Sequence, residues 1–266
     1  MDRSTDAPES EPPGHAAGTA MLERPLFPAT VKERERGAAF PASARSRAFR
    51  RKFFPDAAQS DWNDWRWQLQ HRIRDLRALA KFITLSPDEA SAVARHTGPL
   101  PVGITPYYAS LLSPNDAAQP LRRTHIPVNG EYLRTPGEAD DPLGEDHDSA
   151  VPGLVHRYPD RVLFLATGIC STYCRYCTRS RIVGNPAANF SKVEFDQQIE
   201  YLKRTPQVRD VLLSGGDPLT IAPRMLEYVL ASLRSIEHIE IIRIGTRVPI
   251  FLPQRITAEF CDMIKK

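Results

Sequence analysis

Apolar residues follow a helical period in the middle of this chain and a strand-like pattern after Arg161. In the earlier stretch they recur at steps of three and four residues, as one face of a helix requires. The positions on that face are Trp62, Trp65, Leu69, Ile73, Leu76, Leu79, Ala80 and Ile83. Ser86 can cap a second helix that begins at Pro87, and residues 104–112 resemble a third short helix. The pattern predicts a helical region before Arg161.

After Arg161, short apolar runs alternate with amphipathic stretches of helical length. The runs predict strands over Val162–Thr167, Val208–Ser214 and Ile239–Gly245. The stretches predict helices over Lys192–Arg204 and Pro223–Ser235 and a last helix capped by Thr257. Strands that alternate with helices form parallel βαβ units with right-handed crossovers, and ligands bind at the carboxyl ends of such strands. We therefore expect an α/β fold with three βα units after an N-terminal helical region.

The composition shifts divide the chain into three predicted parts. Residues 1–59 are rich in Pro, Ala, Ser, Glu and Arg and poor in aliphatic residues, which is typical of a disordered or variable segment. It includes a basic run at 45–52, which we interpret as solvated. Residues 60–150 form a predicted helical domain and linker, and residues 151–266 form the predicted α/β core.

Charge and hydropathy exclude several classes of protein. The 266 residues are 41% apolar and 25% charged, with a net charge of only +3, so a dedicated nucleic-acid binder with a concentrated basic face is not expected. No apolar run approaches the length of a membrane span, and the first thirty residues show no apolar signal core. We expect a cytoplasmic, reducing location, which suits free thiolates.

Three of the four cysteines lie on one loop directly after the first predicted strand. Cys170, Cys174 and Cys177 have the spacing C-x3-C-x2-C. They could form a disulfide with a spare thiol, bind zinc, or bind a cubane iron–sulfur cluster with one open iron. Structural zinc usually takes four protein ligands, and Tyr173 and Tyr176 between the cysteines could shield a cluster from water. Ligand count and spacing favour the cluster.

Other candidate ligands are weaker. His125, His147 and His156 lack the helical i, i+4 spacing of a metal-binding pair, which argues against a metal role. The fourth cysteine, Cys261, is expected to be a packed thiol that binds no metal.

Several separated motifs resemble one family. YCRYCTRSR around the cysteines, SGGDPL and RIGTRVPIFLPQRIT downstream, and DWNDWRWQ and ITPYYASL upstream are similar to the lysine 2,3-aminomutase family of the radical SAM superfamily. The resemblance runs roughly from Asp61 to Lys266. It implies the first part of a (β/α)6 radical SAM barrel. The family continues through about three more βα units, so we expect an incomplete form that lacks the imine-forming lysine.

The resemblance also implies roles for individual residues. The cluster ligands of a [4Fe-4S] centre would be Cys170, Cys174 and Cys177. The segment that binds the amino group of S-adenosylmethionine would be Ser214, Gly215, Gly216 and Asp217. Arg157 and Arg161 match the arginines that hold the phosphate of pyridoxal phosphate, and Arg179 matches the arginine that binds the substrate carboxylate.

The reaction implied is a radical 2,3-aminomutation. A reduced cluster cleaves S-adenosylmethionine, and pyridoxal phosphate assists migration of an amino group from C2 to C3 of an amino acid, with lysine the favoured substrate. The implied partners are that amino acid, a reductant such as a flavodoxin or ferredoxin, and a second copy of the chain in a homo-oligomer. Two alternatives stay open: action on a lysyl residue of a translation factor, and a non-catalytic iron–sulfur remnant.

Overall fold

The structure, a computed structural model, describes residues 43–95, 100–185 and 188–265. Most of the segment predicted to be disordered, residues 1–42, lies outside this range. The prediction of disorder is wrong for the last part of this segment, because Ala44–Phe53 forms helix α1. The Ser43 hydroxyl caps the N-terminus of the helix by accepting a hydrogen bond from the Ser46 amide. The helix is strongly basic. Because the prediction of disorder was based on composition, the apolar residues on one face of the helix were overlooked.

Aromatic packing explains why α1 is ordered. Phe49 on α1 lies 4.7 Å from Phe53 and 5.4 Å from Phe82, measured between ring centroids. Phe54 stacks on Phe82 at 5.7 Å and contacts Trp62 at 5.9 Å. Aromatic pairs at these separations add to the free energy of area burial. The tryptophan-rich segment is therefore packed in the interior of the helical region.

The helical region contains more and shorter helices than its apolar period predicted. After α1 come α2 (Gln59–Asn63), α3 (Trp65–Gln70), α4 (Leu76–Leu79), α5 (Pro87–Arg95), α6 (Pro106–Ala109) and α7 (Pro120–Arg123). The single apolar face between Trp62 and Ile83 is divided because Asp64 caps α3 and Asp75 caps α4, each accepting a backbone N–H. The cap of α5 by Ser86 is confirmed.

The α/β core is built on one five-stranded sheet whose strand order follows the sequence. The strands are β1 (Ser149–Val151), β2 (Leu154–Tyr158), β3 (Arg161–Thr167), β4 (Asp210–Gly215) and β5 (Ile241–Ile244). The three predicted strands are β3, β4 and β5, and their parallel pairing is confirmed. The antiparallel pair β1–β2 is an addition, since no strand was predicted before Val162.

Helices connect the parallel strands as the alternating pattern predicted. They are α8 (Lys192–Lys203), α9 (Pro223–Arg234), α10 (Val248–Phe251) and α11 (Ala258–Ile264). Fully buried Phe164, Val211 and Leu213 from the sheet share one core cluster with Leu202 of α8 and Leu226 of α9. This confirms an N-terminal helical region followed by a partial radical SAM-type (β/α) core.

Every helix within residues 43–95, 100–185 and 188–265 is too short or too polar to cross a bilayer.

Candidate functional site

The cysteine loop leaves the carboxyl end of β3 and is held by the helical region. The Tyr173 amide donates to the Gly103 carbonyl at 2.9 Å, and the Arg175 amide donates to the Thr124 carbonyl at 2.9 Å. The Arg72 guanidinium donates to the carbonyl of Cys170 at 2.8 Å. These bonds position the loop from outside the α/β core, so the N-terminal helices are part of the site's framework.

The three thiols are free and partly exposed, and they are close enough to influence one another electrostatically. Burial raises the pKa of Cys170 well above its usual value, and the charges of Asp217, Cys177 and Cys174 raise it further. Burial also raises the pKa of Cys174 to about 11 and, in direction, that of Cys177. Three bare thiolates are thus disfavoured in this loop. A cationic metal centre would supply the missing positive charge, so the donor set fits an iron–sulfur cluster.

A single-ion site is not formed here. Within the part of the chain that the structure describes, no three His, Cys, Asp or Glu side chains come together as ligands of one metal ion. Structural zinc requires such convergence, whereas the cysteines of a cubane cluster bind different irons and stay further apart. All four cysteines, including Cys261, are free thiols. Cys261 is exposed on α11, so its predicted packing is wrong.

The glycines after β4 let two loops touch. Gly215 has φ +114°, and a Cβ there would lie 2.5 Å from the Thr167 carbonyl oxygen. A Cβ on Gly216 would meet the backbone of Ile169, with its nitrogen at 2.8 Å. The Asp217 amide donates to the Ile169 carbonyl at 2.8 Å. The close approach that glycine allows is therefore to the start of the cysteine loop, next to Cys170.

Asp217 connects the loops after β4 and β5. Its carboxylate accepts from the Thr246 hydroxyl at 2.7 and 2.9 Å, the Arg247 amide at 2.8 Å and the Leu219 amide at 3.1 Å. The side chain is buried, and burial raises its pKa although these donors act in the opposite direction. The carboxylate thus has a structural task. That the segment Ser214–Asp217 binds an ammonium group stays a prediction.

Arg179 already holds a carboxylate. Its Nε donates to Oε2 of Glu145 at 3.0 Å and its Nη2 donates to Oε1 at 2.7 Å, a parallel pair of bonds, and Nε has a further contact of 2.9 Å with Oε1. Glu145 is only 5% exposed. Arg181 binds Asp146 and Asp141 nearby. The acidic stretch at 140–148 is therefore paired with the arginines that follow Cys177. No motif or spacing in the sequence identifies these pairs.

Arg157 and Arg161 lie at the other end of the sheet. Arg161 begins β3 opposite Asp210, the first residue of β4, while the cysteine loop follows the last residue of β3. Six residue steps of strand separate the two ends by roughly 20 Å. Arg161 binds Asp160, and Arg157 binds Asp148 and the Leu143 carbonyl. Arg161 therefore lies away from the cysteine loop, whereas Arg157 contacts the acidic segment that also supplies Glu145 to Arg179. That these two arginines hold a phosphate stays a prediction.

One residue at the site was missed by the sequence argument. His125 Nε2 lies 3.6 Å from the Sγ of Cys174. Its ring packs edge-on against Tyr108 and Phe251, and the residue is 2% exposed. Burial lowers its pKa to about 4, so the imidazole is neutral at pH 7. No motif or spacing identifies it, because it is 49 residues from Cys174 in the chain.

Comparison with known proteins agrees with this arrangement. The sequence profile of the radical SAM superfamily matches residues 164–266, from within β3 to the end of the chain. L-lysine 2,3-aminomutase of Clostridium subterminale is 50% identical over 217 residues, which cover 82% of this chain and 52% of the relative. The Bacillus subtilis (strain 168) L-lysine 2,3-aminomutase is 51% identical over 211 residues, 79% of this chain and 45% of the relative.

A glutamate 2,3-aminomutase is also similar. The enzyme of that name from Clostridioides difficile (strain 630) is 38% identical over 211 residues, 79% of this chain and 50% of the relative. The chain spans about half the length of these curated relatives. The predicted cofactors, a [4Fe-4S] cluster, S-adenosylmethionine and pyridoxal phosphate, agree with these relationships. The sequence comparisons show a radical SAM domain in this chain and about 50% identity to L-lysine 2,3-aminomutases over about 80% of its length.

Proposed function

We propose that this chain forms the cluster-binding and S-adenosylmethionine-binding part of an amino-acid 2,3-aminomutase, with lysine the favoured substrate. The observation that carries the proposal is the set of three free thiols on one loop, held against the glycine loop that follows β4. The names of the relatives favour a free amino acid over a lysyl residue in a protein. When bound, the cofactors would supply the radical chemistry that moves the amino group.

The chain's own residues would hold the cluster and keep water from it. Cys170, Cys174 and Cys177 would be its ligands. Tyr173 is 7% exposed and packs with Leu100 and Val183 around two of these cysteines. Restricted water access is one control of the potential of such a cluster. The loop Ser214–Asp217 lies beside Cys170, where it would meet S-adenosylmethionine bound at the open iron.

Arg179 would bind the carboxylate of the amino acid. Its planar guanidinium already makes a bidentate pair with Glu145, with Nε donating to Oε2 and Nη2 to Oε1, so the side chain can present two N–H groups to one carboxylate. A substrate would replace one carboxylate by another, so the exchange would cost little electrostatic energy. We expect Glu145→Gln to tighten substrate binding, because the competing carboxylate loses its charge.

Pyridoxal phosphate has no comparable place among the residues described. The two arginines matched to its phosphate lie at the opposite end of β3 and are paired with acidic neighbours. The proposal therefore assigns no residue of the described part to that cofactor. A reductant such as a flavodoxin or ferredoxin, a homo-oligomeric state and a reducing cytoplasmic location complete the proposal, and the free thiols are consistent with the last.

The test is anaerobic reconstitution with iron and sulfide. We expect about four irons per chain in the wild type, as a [4Fe-4S] cluster requires, and a changed electron paramagnetic resonance (EPR) spectrum when S-adenosylmethionine is added. Cys174→Ala should lose the cluster, while the matched control Cys261→Ala on α11 should keep it. A wild-type chain that takes up no iron would refute the proposal. A cluster whose spectrum ignores S-adenosylmethionine would favour the non-catalytic remnant.

A further inference from the structure

We propose that His125 donates an N–H···S hydrogen bond to the thiolate of Cys174 and thereby raises the reduction potential of the cluster. The inference rests on the proposed function, because it needs a cluster on the cysteine loop. It assigns a positioning residue that lies outside every recognised motif of the chain. The hydrogen bond would act on the electron-accepting step, before any contact with the substrate.

The imidazole is fixed in position by its surroundings. Nε2 lies 3.6 Å from the sulfur of Cys174, within the range of a hydrogen bond to sulfur. The ring centroid is 4.6 Å from that of Tyr108 and 5.0 Å from that of Phe251, and both contacts are edge-on. The Arg175 amide donates to the Thr124 carbonyl, which fastens the histidine segment to the cysteine loop. The ring therefore cannot turn away without breaking core contacts.

The neighbouring groups allow the tautomer that the hydrogen bond requires. Nδ1 lies 2.7 Å from the Thr124 hydroxyl. That hydroxyl also has the phenol of Tyr108 as a hydrogen-bond partner. Once Cys174 is a thiolate it has no proton to give, so Nε2 must be the donor. Nδ1 then accepts from the Thr124 hydroxyl, whose single proton turns to Nδ1 from the Leu121 carbonyl 2.8 Å away. The competing tautomer would place the proton on Nδ1, which lies 3.2 Å from the same carbonyl, and would leave Nε2 without a proton for the thiolate.

The expected effect has a definite sign. Reduction adds an electron to the cluster and increases the negative charge on its sulfurs. A hydrogen bond to a ligand sulfur therefore stabilises the reduced form more than the oxidised form and raises the potential. Because His125 is buried, water cannot replace the lost donor in a variant.

The experiment compares three variants of the reconstituted full chain. His125→Phe keeps an aromatic ring between Tyr108 and Phe251 but removes the donor. His125→Gln keeps an N–H group at similar reach. His156→Phe is the matched control, because His156 lies on β2 and binds the Tyr201 hydroxyl. Iron and sulfide counts come first, followed by a potentiometric titration monitored by EPR. Pulsed EPR on protein labelled with ¹⁵N-histidine would detect a weak coupling to the His125 nitrogen.

We expect wild-type iron content in all three variants. In His125→Phe the ratio of reduced to oxidised cluster at a fixed potential should fall about tenfold, equivalent to ~59 mV for a one-electron couple. The ¹⁵N-histidine coupling should disappear in both His125 variants and persist in His156→Phe. His125→Gln should restore much of the potential, and His156→Phe should match the wild type.

Contrary outcomes separate the two proposals. A wild type without iron refutes the proposed function itself. An iron-loaded His125→Phe with an unchanged midpoint potential overturns the hydrogen bond and leaves the proposed function intact. If His125→Phe and His125→Gln lose the cluster alike, His125 is a packing residue and the inference is wrong.

Discussion

Gly216→Ala tests the contact between the two loops of the site. The glycine lies after β4, and the added methyl group would point at the backbone of Ile169, the residue before Cys170. Its Cβ would lie 2.7 Å from the carbonyl carbon and 2.8 Å from the nitrogen of Ile169, with the carbonyl oxygen nearer still. Gly216 is not among the glycines with positive φ, so the penalty is steric.

The magnitude follows from these distances. Ordinary contacts of a Cβ begin near 3.4 Å. The Ile169 backbone would have to move by about 1 Å, and overpacking of this kind costs about 1–3 kcal/mol. The motion is passed directly to Cys170, whose sulfur must stay in register with those of Cys174 and Cys177 to bind one cluster. We therefore expect a loss of iron in addition to a loss of stability.

The assay is iron per chain after anaerobic reconstitution, together with urea unfolding of the chain without metal. Gly130→Ala is the matched control, because no heavy atom lies within 4 Å of its added Cβ and its φ is not positive. It should bind iron as the wild type does. If Gly216→Ala takes up iron and unfolds like Gly130→Ala, the proposed contact between the loops does not position the cysteines.

Two further predictions concern a buried ion pair and the bare thiols. Arg122 and Glu89 are almost fully buried and paired at 2.5 Å, so Glu89→Gln should lower the free energy of unfolding by about 3–5 kcal/mol, because the guanidinium loses its counter-charge. The exposed control Glu200→Gln should cost at most about 0.5 kcal/mol in urea unfolding. In chain stripped of iron, alkylation of Cys174 should rise about tenfold per pH unit from pH 8 to 10, since its thiolate forms with a pKa of about 11. Peptide mass spectrometry should show exposed Cys261 reacting faster at pH 8, and a pH-independent rate at Cys174 would contradict the burial argument.

Local patterns predicted the elements of the core and the position of its chemistry. The alternation of apolar runs with amphipathic stretches predicted β3, β4, β5 and the helices between them, because strand and helix periods are properties of neighbouring residues. Parallel strands place the loops at their carboxyl ends on one side, so the cysteine loop and the glycine loop were expected to meet, and they do.

Helix ends and weakly amphipathic segments were less predictable. The apolar period between Trp62 and Ile83 continues across Asp64 and Asp75, and both aspartates cap new helices there. Helix α1 looked disordered because its composition is basic, but Phe49 and Phe54 pack on Trp62, and Phe53 packs on Phe82. The caps are local contacts that the apolar period does not include, whereas the packing of α1 depends on contacts with residues farther along the chain, such as Phe82.

The sequence by itself determined the three cysteines, their spacing, the strand before them and the resemblance to the lysine 2,3-aminomutase family. The tertiary structure decided which polar and charged side chains contact each other. Arg179 meets Glu145 from 34 residues away, His125 meets Cys174 from 49 residues away, and Arg161 remains at the opposite end of its strand. The physical reason is the separation along the chain over which each kind of interaction acts. Periods and caps depend on residues within a few positions, whereas ion pairs, buried hydrogen bonds and pKa values depend on the path of the folded chain through space.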